Sequence, residues 1–357
     1  MENSKINPVI KKVLDQGIAI PAHPLALTSH RKLDERHQRA LSRYYIAAGV
    51  GGLAVGVHTT QFKIRDPQVG LFKPVLQLAA EEMDRADDKR NQPLARIAGI
   101  VGKSSQAVSE ATLLRDLGYH AGLLSLAAMK DTDENQLIEH CQQVANVIPI
   151  VGFYLQASVG GGYLSYRFWR RFAEIQNVVA IKMAPFNRYQ TLDVIRAVAE
   201  SRREDIALYT GNDDNIVMDL ITPHRIMVEG KPVTRRIVGG LLGHWSVWTQ
   251  KAVTLLGECQ AIASAGGNIP IEMMQRAIEI TDSNAAFFDA ANQYQGVIAG
   301  LHEVLHRQGL MAGTWCLDPD ETLGPGQVQQ IDRVYKAYPH LHDDDFVAEH
   351  LDQWLTG

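Results

Sequence analysis

A lysine closes the apolar, β-branched run Asn177 to Pro185, NVVAIKMAP, which otherwise reads as a wholly buried strand. Burying an ammonium ion is costly, so Lys182 must snorkel to water, pair with an acid, or lose its proton and act as a nucleophile. A neutral amine in an apolar pocket attacks a ketone to form an imine. The protonated imine then draws electrons from the adjacent carbon and eases C–C or C–O cleavage there. Two other residue sets suit that chemistry. The phenol of Tyr154, in GFYLQ, is of the type that carries protons between carbonyl oxygen, amine and leaving group. The paired hydroxyls of Thr59 and Thr60, with nearby backbone N–H groups, suit a carboxylate. Together they describe a site for a 2-keto acid that needs neither metal nor organic cofactor.

These residues need elements to hold them. Short continuous apolar runs recur near residues 17, 52, 95, 120, 147, 178, 206 and 237, separated by segments of helical period such as SSQAVSEATLLRDLG and YQTLDVIRAVAESRRE. Continuous apolar runs are what parallel strands covered on both faces require, and eight such strand and helix units predict an α/β fold, a (β/α)8 TIM barrel. A doubly wound open sheet would carry a glycine-rich dinucleotide turn after its first strand, where this chain has AHPLAL. Barrel chemistry sits at strand C-termini, and Lys182, Tyr154, the His58 to Gln61 stretch and GNDDN (211 to 215) all fall at strand ends. Beyond about residue 246 only helical periods follow. The expected division is a barrel over 1–255 and an all-helical C-terminal extension over 256–357. HRIMVEGKPVTRRIV, ahead of the eighth strand, reads as a hairpin with Glu229 and Gly230 at its turn.

At this point the chain resembles the dihydrodipicolinate synthase and N-acetylneuraminate lyase family of Schiff-base-forming class I aldolases, over roughly residues 15 to 265. GVHTTQF (56–62) is similar to that family's Gly-Thr-Thr-Gly-Glu loop and PIVGFYLQ (149–156) to its Pro-x-x-x-Tyr-Asn strand. AIKMA (180–184) resembles its Ile-Lys-Asp strand, YTGNDDN (209–215) its Ser-Gly-Asp-Asp turn and GGLLGHWSV (239–247) its Gly-x-Gly-x-Ile-Ser segment. The resemblance implies a lyase in which Lys182 forms the imine, Tyr154 transfers protons, Thr59 and Thr60 take the carboxylate, and Trp245 offers a backbone carbonyl to the pocket. It also implies a homo-oligomer, a dimer or tetramer. His58, Gln61, Arg65, Gln156, Asn187 and Arg188 are polar candidates for substrate choice. The chain departs from the pattern where SLAAMKDTDEN lacks the family's second tyrosine, where QASVGGGYLS lacks an arginine, and where Gln61 and Phe62 replace Gly and Glu. Synthesis of dihydrodipicolinate itself is therefore not implied.

Two other readings stand beside this one. A barrel that has lost activity would bind a keto acid or serve as an assembly unit. HEVLH, His302 to His306, fits a zinc pattern with two histidines one turn apart and Glu303 as base. GNDDN reads structurally as a turn with Asp213 or Asp214 holding backbone N–H groups, and the glycines at 160–162 as a tight bend rather than a phosphate loop. Cys141, Cys259 and Cys316 are odd in number and far apart, which argues against a disulfide framework. A net charge of −5 without a basic stripe points away from nucleic acid and membrane surfaces. MENSKINPVIKKVLDQG has no uninterrupted apolar core of a secretory leader, so a cytoplasmic protein is expected.

Overall fold

The computed structural model describes residues 5–357, so the first four residues of that N-terminal stretch lie outside it. Its strands are β1 (Ala19–Pro21), β2 (Gly52–Val55), β3 (Ala95–Ile100), β4 (Ala121–Leu124), β5 (Ile150–Leu155), β6 (Val178–Ala184) and β7 (Ala207–Thr210). After the two-stranded insert β8 (His224–Val228) and β9 (Lys231–Arg235) comes β10 (Ile237–Leu242). The helices are α1 (Pro8–Gln16), α2 (Glu35–Ala47), α3 (Phe72–Asp87), α4 (Ser104–Asp116), α5 (Glu134–Ala145), α6 (Tyr166–Phe172), α7 (Arg188–Glu200) and α8 (Ile216–Ile221). A second set follows: α9 (Thr249–Ala265), α10 (Ile271–Phe287), α11 (Val297–Arg307), α12 (Gln327–Ala337) and α13 (Asp344–Thr356).

Eight strands take the order β1-β10-β7-β6-β5-β4-β3-β2. The two ends of that order meet through a parallel bridge between Ala22 and Ala54 and through Gly51 N–H to Ala19 O at 3.1 Å. The fold is the expected (β/α)8 barrel followed by C-terminal helices. Each of the eight apolar runs read from the sequence contains one of these strands. All seven residues of β6 are buried, which is why its sequence shows no polar alternation.

Two compact units make up the chain. The first comprises residues 1–18, 95–241 and 259–267, and the second 19–94, 242–258 and 268–357. Within the first, β3, β4, β5, β6, β7 and β10 pair in parallel, with Phe153 opposite Lys182 and Lys182 opposite Tyr209. β8 and β9 pair antiparallel, Val228 against Lys231, so Glu229 and Gly230 form the turn as expected. Both turn residues have positive φ, 49° and 78°, the pair of left-handed conformations that a tight two-residue hairpin needs.

Within the second unit, α2 packs between α3 and α13. Glu82, 4% exposed on α3, accepts from Arg39 at 2.9 Å, Arg43 at 2.9 and 3.1 Å, and Arg85 at 2.7 Å. Arg43 also donates to Trp354 O at 2.6 Å, and Tyr44 donates to Asp343 at 2.8 Å, tying α13 to α2. Among the helical periods expected beyond residue 246, the stretch NAAFFDAANQYQGVIAGLHEVLH (284–306) reads as one helix but is not. α10 ends at Phe287, Asp289, Gln293 and Tyr294 adopt positive φ, and α11 starts at Val297. The break is held by polar groups that periodicity does not register. Asp289 accepts from Asn292 at 2.6 Å and from Gly296 N–H at 3.1 Å, and Gln327 donates to the carbonyls of Phe287 and Gly296 at 3.1 and 3.0 Å. Among the described residues no helix is long and apolar enough to cross a membrane.

Burial opposes the charge on Glu82, yet hydrogen bonds from Arg43 and Arg39 outweigh it and hold the carboxyl below its usual 4.5. A depressed carboxyl contributes stability above its unfolded pKa and loses it as pH falls through the folded one. Glu82→Gln is expected to lower unfolding free energy at pH 7 by about 2 kcal/mol. The gap from wild type should narrow as pH falls below 4.5 in denaturant titrations.

Candidate active site

Strand parity decides which groups share a surface. Successive side chains on a strand point to opposite faces. On β6, Lys182 and Ala184 face one way. On β5, Phe153 lies on that same side, because the Lys182 Nζ sits 4.5 Å from the Phe153 ring centroid. On the loop after β7, Gly211 completes the surround: a Cβ built there would stand 2.5 Å from Lys182 Cε and 2.8 Å from Ala184 Cβ. Only a glycine lets the loop pass the lysine stem so closely. Lys182 is 7% exposed, so its ammonium has lost most of its water. That desolvation lowers its pKa from 10.5 to about 8, against the opposing pull of the Asp213 carboxylate. Of the three possibilities open to a lysine in this strand, snorkelling to water is excluded: the amine is buried, with the charge of Asp213 acting on it.

The loops after β6 and β7 are locked by Asn212, which is fully buried. Its side chain accepts from Phe186 N–H at 3.1 Å and donates to Thr191 at 3.3 Å and Asp219 at 3.0 Å. Asp219, 1% exposed, also accepts from Thr210 at 2.6 Å and pairs with Arg188. Arg188 is therefore anchored at the start of α7 rather than free to reach a ligand at will. Asn187 caps the same helix by accepting from Gln190 N–H at 3.2 Å. In GNDDN the residue at the cap of α8 is Asn215, and Asp213 is 5% exposed within the loop. Burial raises the pKa of the neighbouring Asp214 above the usual carboxylate value.

Tyr154 does not meet Lys182. It stands on the opposite face of β5, beside Gly152, and packs on Trp169 of α6 at a 5.4 Å centroid distance. Its hydroxyl donates to Leu164 O at 3.1 Å and accepts from Leu164 N–H at 3.2 Å, while burial pushes its pKa up to about 12. Its role is to pin the loop that follows β5. The expected proton carrier is thus one residue out of register: counted from Pro149, the fifth position of Pro-x-x-x-Tyr-Asn is Phe153. The signal was the spacing, and the parity of β5 against β6 confirms it. Phe153, Gly211 and Asp213 are the neighbours of Lys182 that the sequence reading did not single out for catalysis.

The second unit holds the other candidates. Thr59 and Thr60 are buried in a short 3-10 turn, His58–Thr60. Thr59 donates to Ala22 O at 2.8 Å and Thr60 to His23 O at 2.6 Å, so both hydroxyl protons are already committed to backbone carbonyls. Gln61, with φ 66°, accepts from Leu317 N–H at 2.6 Å, and its amide nitrogen is buried without a partner among the described residues. His58 is half-buried, 5.9 Å from the Phe62 ring. Arg65 lies over Phe72 at 4.0 Å and donates to Gly56 O at 3.0 Å. The Trp245 carbonyl accepts from the Thr249 hydroxyl at 2.8 Å. The Trp245 ring lines a cavity of about 190 Å³ with His244 and Trp248. Gln156, in the first unit, accepts from Ser158 at 2.7 Å.

The HEVLH side chains are taken up by local contacts. His302 is fully buried, burial lowers its pKa to about 4, and its ring meets Cys316 Sγ at 3.9 Å. His306 faces Met311 O at 3.0 Å, and Glu303 pairs with Arg307 at 2.8 Å. Among the described residues no three His, Cys, Asp or Glu side chains are grouped to hold a metal ion. The three cysteines are buried and unpaired with one another, and burial raises the Cys141 and Cys316 thiols.

Two outcomes follow for Lys182. Gly211→Ala should displace the lysine stem and abolish selective labelling of Lys182 by an amine reagent, with the circular dichroism spectrum retained. Lys182→Met should raise stability at pH 7 by about 2 kcal/mol, because the folded chain no longer desolvates an ammonium ion. A lysine with a depressed folded pKa releases its proton first in the folded state, so that advantage should fade as pH rises from 8 to 10.5.

Known proteins share this fold. No family model matches the chain. A 4-hydroxy-tetrahydrodipicolinate synthase from Alkaliphilus oremlandii is 30% identical over 128 residues, 34% of this chain and 42% of that protein. The match thus spans less than half the relative's length. N-acetylneuraminate lyase from Fusobacterium nucleatum superposes with a TM-score of 0.68 at 15% identity, over 90% of this chain and 99% of that one. Dihydrodipicolinate synthase from Oceanobacillus iheyensis gives 0.72 at 15% identity, over 93% and 99%. A prophage protein of the dihydrodipicolinic acid synthase family from E. coli K12, solved with pyruvate, gives 0.69 at 17% identity, over 90% and 97%. The partial sequence match and the shared barrel make the chain similar to dihydrodipicolinate synthases and N-acetylneuraminate lyases, and the solved structures establish the (β/α)8 fold.

Proposed function

We propose that the chain is a class I lyase, an aldolase or hydro-lyase, that forms a Schiff base between Lys182 and a 2-keto acid such as pyruvate. The observation that carries this reading is the buried amine of Lys182 with its pKa lowered to about 8. Near neutral pH a useful fraction is uncharged and can add to C2 of the keto acid. Loss of water gives the imine. Its protonated form withdraws electrons from C3, which then loses a proton, breaks a C–C bond or makes one.

Protons must enter and leave at C3 and at the departing oxygen. With Tyr154 on the far face of β5 and Phe153 against the amine, the group suited to this work is Asp213, whose charge acts on Lys182 and which lies two residues beyond Gly211. The reading therefore rests on the first unit alone. Thr59 and Thr60 keep the carboxylate role only by resemblance, and their committed hydroxyls leave backbone N–H groups as the better donors. Trp245, with its carbonyl engaged by Thr249, gains no support. His58, Gln61 and Arg188 remain proposals for substrate choice. Three buried thiols suit a reducing compartment, in keeping with a cytoplasmic enzyme. Ile271, Met274 and Ile278, exposed along one stripe of α10, suit self-association into a homo-oligomer.

The absence of a phenol beside the amine favours one rival, a barrel that binds a keto acid and does no more. Borohydride reduction in the presence of pyruvate, followed by peptide mapping, should add the pyruvyl mass at Lys182. Deuterium should enter the pyruvate methyl group in heavy water, and Asp213→Asn should slow that exchange by about a hundredfold while the trapped adduct still forms. Adduct without exchange in the wild type would leave only the binding barrel, and no adduct with pyruvate or longer keto acids would end the imine reading.

A further inference from the structure

A cavity in the second unit is untouched by the chemistry proposed for Lys182. It encloses about 190 Å³ between α9 and α10, with Leu341, just ahead of α13, in its wall. Every residue that lines it belongs to the second unit. An apolar cavity of about 150 Å³ is known to take up benzene, so this one has room for a benzene ring or a branched aliphatic body without any rearrangement. Its floor suits such a body. Trp245, Trp248, Leu255, Ile280 and Leu341 all line it and are at most 7% exposed.

Charge is segregated along the cavity. Lys251, Leu255 and Glu258 stand at positions i, i+4 and i+7 of α9 and share one face of that helix, which sets the two charged residues about 10 Å apart along its axis. Both are exposed, and neither has an ion partner among the described residues. His340, also in the wall, sits at the Lys251 end, because Asp343 nearby accepts from Gln250 N–H at 2.9 Å. Arg276 reaches the same end from α10. Its Nε lies 3.6 Å from Glu279, and Glu279 pairs with His340 at 2.8 Å. Asp343 is 2% exposed and taken up by Tyr44, Gln250 and Gln308. Lys251 and Arg276 therefore face one shared carboxylate, Glu279, and a positive charge is left over even when His340 is neutral.

We propose that this cavity binds a small organic carboxylate with a compact aromatic or branched apolar body. The body lies on Trp248, Leu255 and Ile280, and the carboxylate meets Lys251 and Arg276. A polyol would give up water to walls that offer it no partners. A hydrocarbon would fill the floor and leave the cations unused. A carboxylate accepts paired N–H donors from a guanidinium and a further charge from an ammonium, so it satisfies both parts of the cavity at once.

Binding of 4-fluorobenzoate to the intact chain, followed by fluorine NMR, tests this, with 4-fluorobenzyl alcohol as an uncharged body of similar shape. The benzoate should bind saturably and about tenfold or more tighter than the alcohol, the scale of one hydrogen bond to a charged group. Lys251→Gln and Arg276→Gln should each weaken it by about tenfold, whereas Glu258→Gln, at the far end, should not weaken it. Ala252→Met extends a side chain from the α9 wall and should abolish binding with the circular dichroism spectrum retained. Neither probe has a keto group to form an imine, so Lys182→Met should bind the benzoate as the wild type does. Equal affinity for alcohol and benzoate, or charge variants that bind unchanged, would overturn the carboxylate assignment. Absence of saturable binding, binding unaffected by Ala252→Met, or binding lost in Lys182→Met would overturn the site itself.

Discussion

The chemistry proposed for this chain depends on keeping one ammonium group out of water. The cost is met by the barrel: seven consecutive buried residues on β6, a phenylalanine from β5 on one side, and a glycine loop after β7 on the other. A lysine in that position is disfavoured as a cation, and the fold tolerates it because the cation can give up its proton near neutral pH. Asp213 moderates this. In the proposed reaction its charge would also balance the protonated imine, the species that withdraws electrons.

The polar network under the site serves the same end by another route. Asn212 and Asp219 hold the loops after β6 and β7 together through buried hydrogen bonds, and Thr191, Thr210 and Arg188 satisfy what remains of them. None of these groups faces the amine in the way Phe153 does. They fix the path of Gly211, and so the space available to the lysine stem. The solved structures that share the barrel do so at about 15% identity, a level at which such loop-fixing contacts and the neighbours of Lys182 are free to differ.

The barrel was legible because parallel strands covered on both faces leave a plain mark, a continuous apolar run, and each of the eight runs contains a strand. The β8–β9 turn was legible because Glu229-Gly230 offers the two left-handed positions a tight hairpin needs. Lys182 stood out as a charge near the C-terminal end of such a run, where barrel chemistry sits. What failed was register. Tyr154 and Phe153 are adjacent in sequence, and a single step along a strand exchanges the barrel interior for the helix layer. The aromatic composition of GFYLQ was correct and its orientation was not. The break between α10 and α11 was hidden for a related reason: Asp289 and Gln327 impose it through backbone hydrogen bonds, and apolar period carries no information about those. The commitments of Thr59, Thr60 and Trp245 to nearby backbone and side-chain groups were equally invisible, since their partners are set by folding rather than by local pattern.

The central claim is that the Lys182 side chain is a weak base because it is dry. Its protonation can be followed directly by heteronuclear NMR of the chain labelled at lysine Nζ, with Lys182→Met to assign the signal. A midpoint near pH 8 is predicted, well below that of the remaining lysines. A midpoint at the ordinary 10.5 would mean a solvated ammonium, and the account of this site would not survive it.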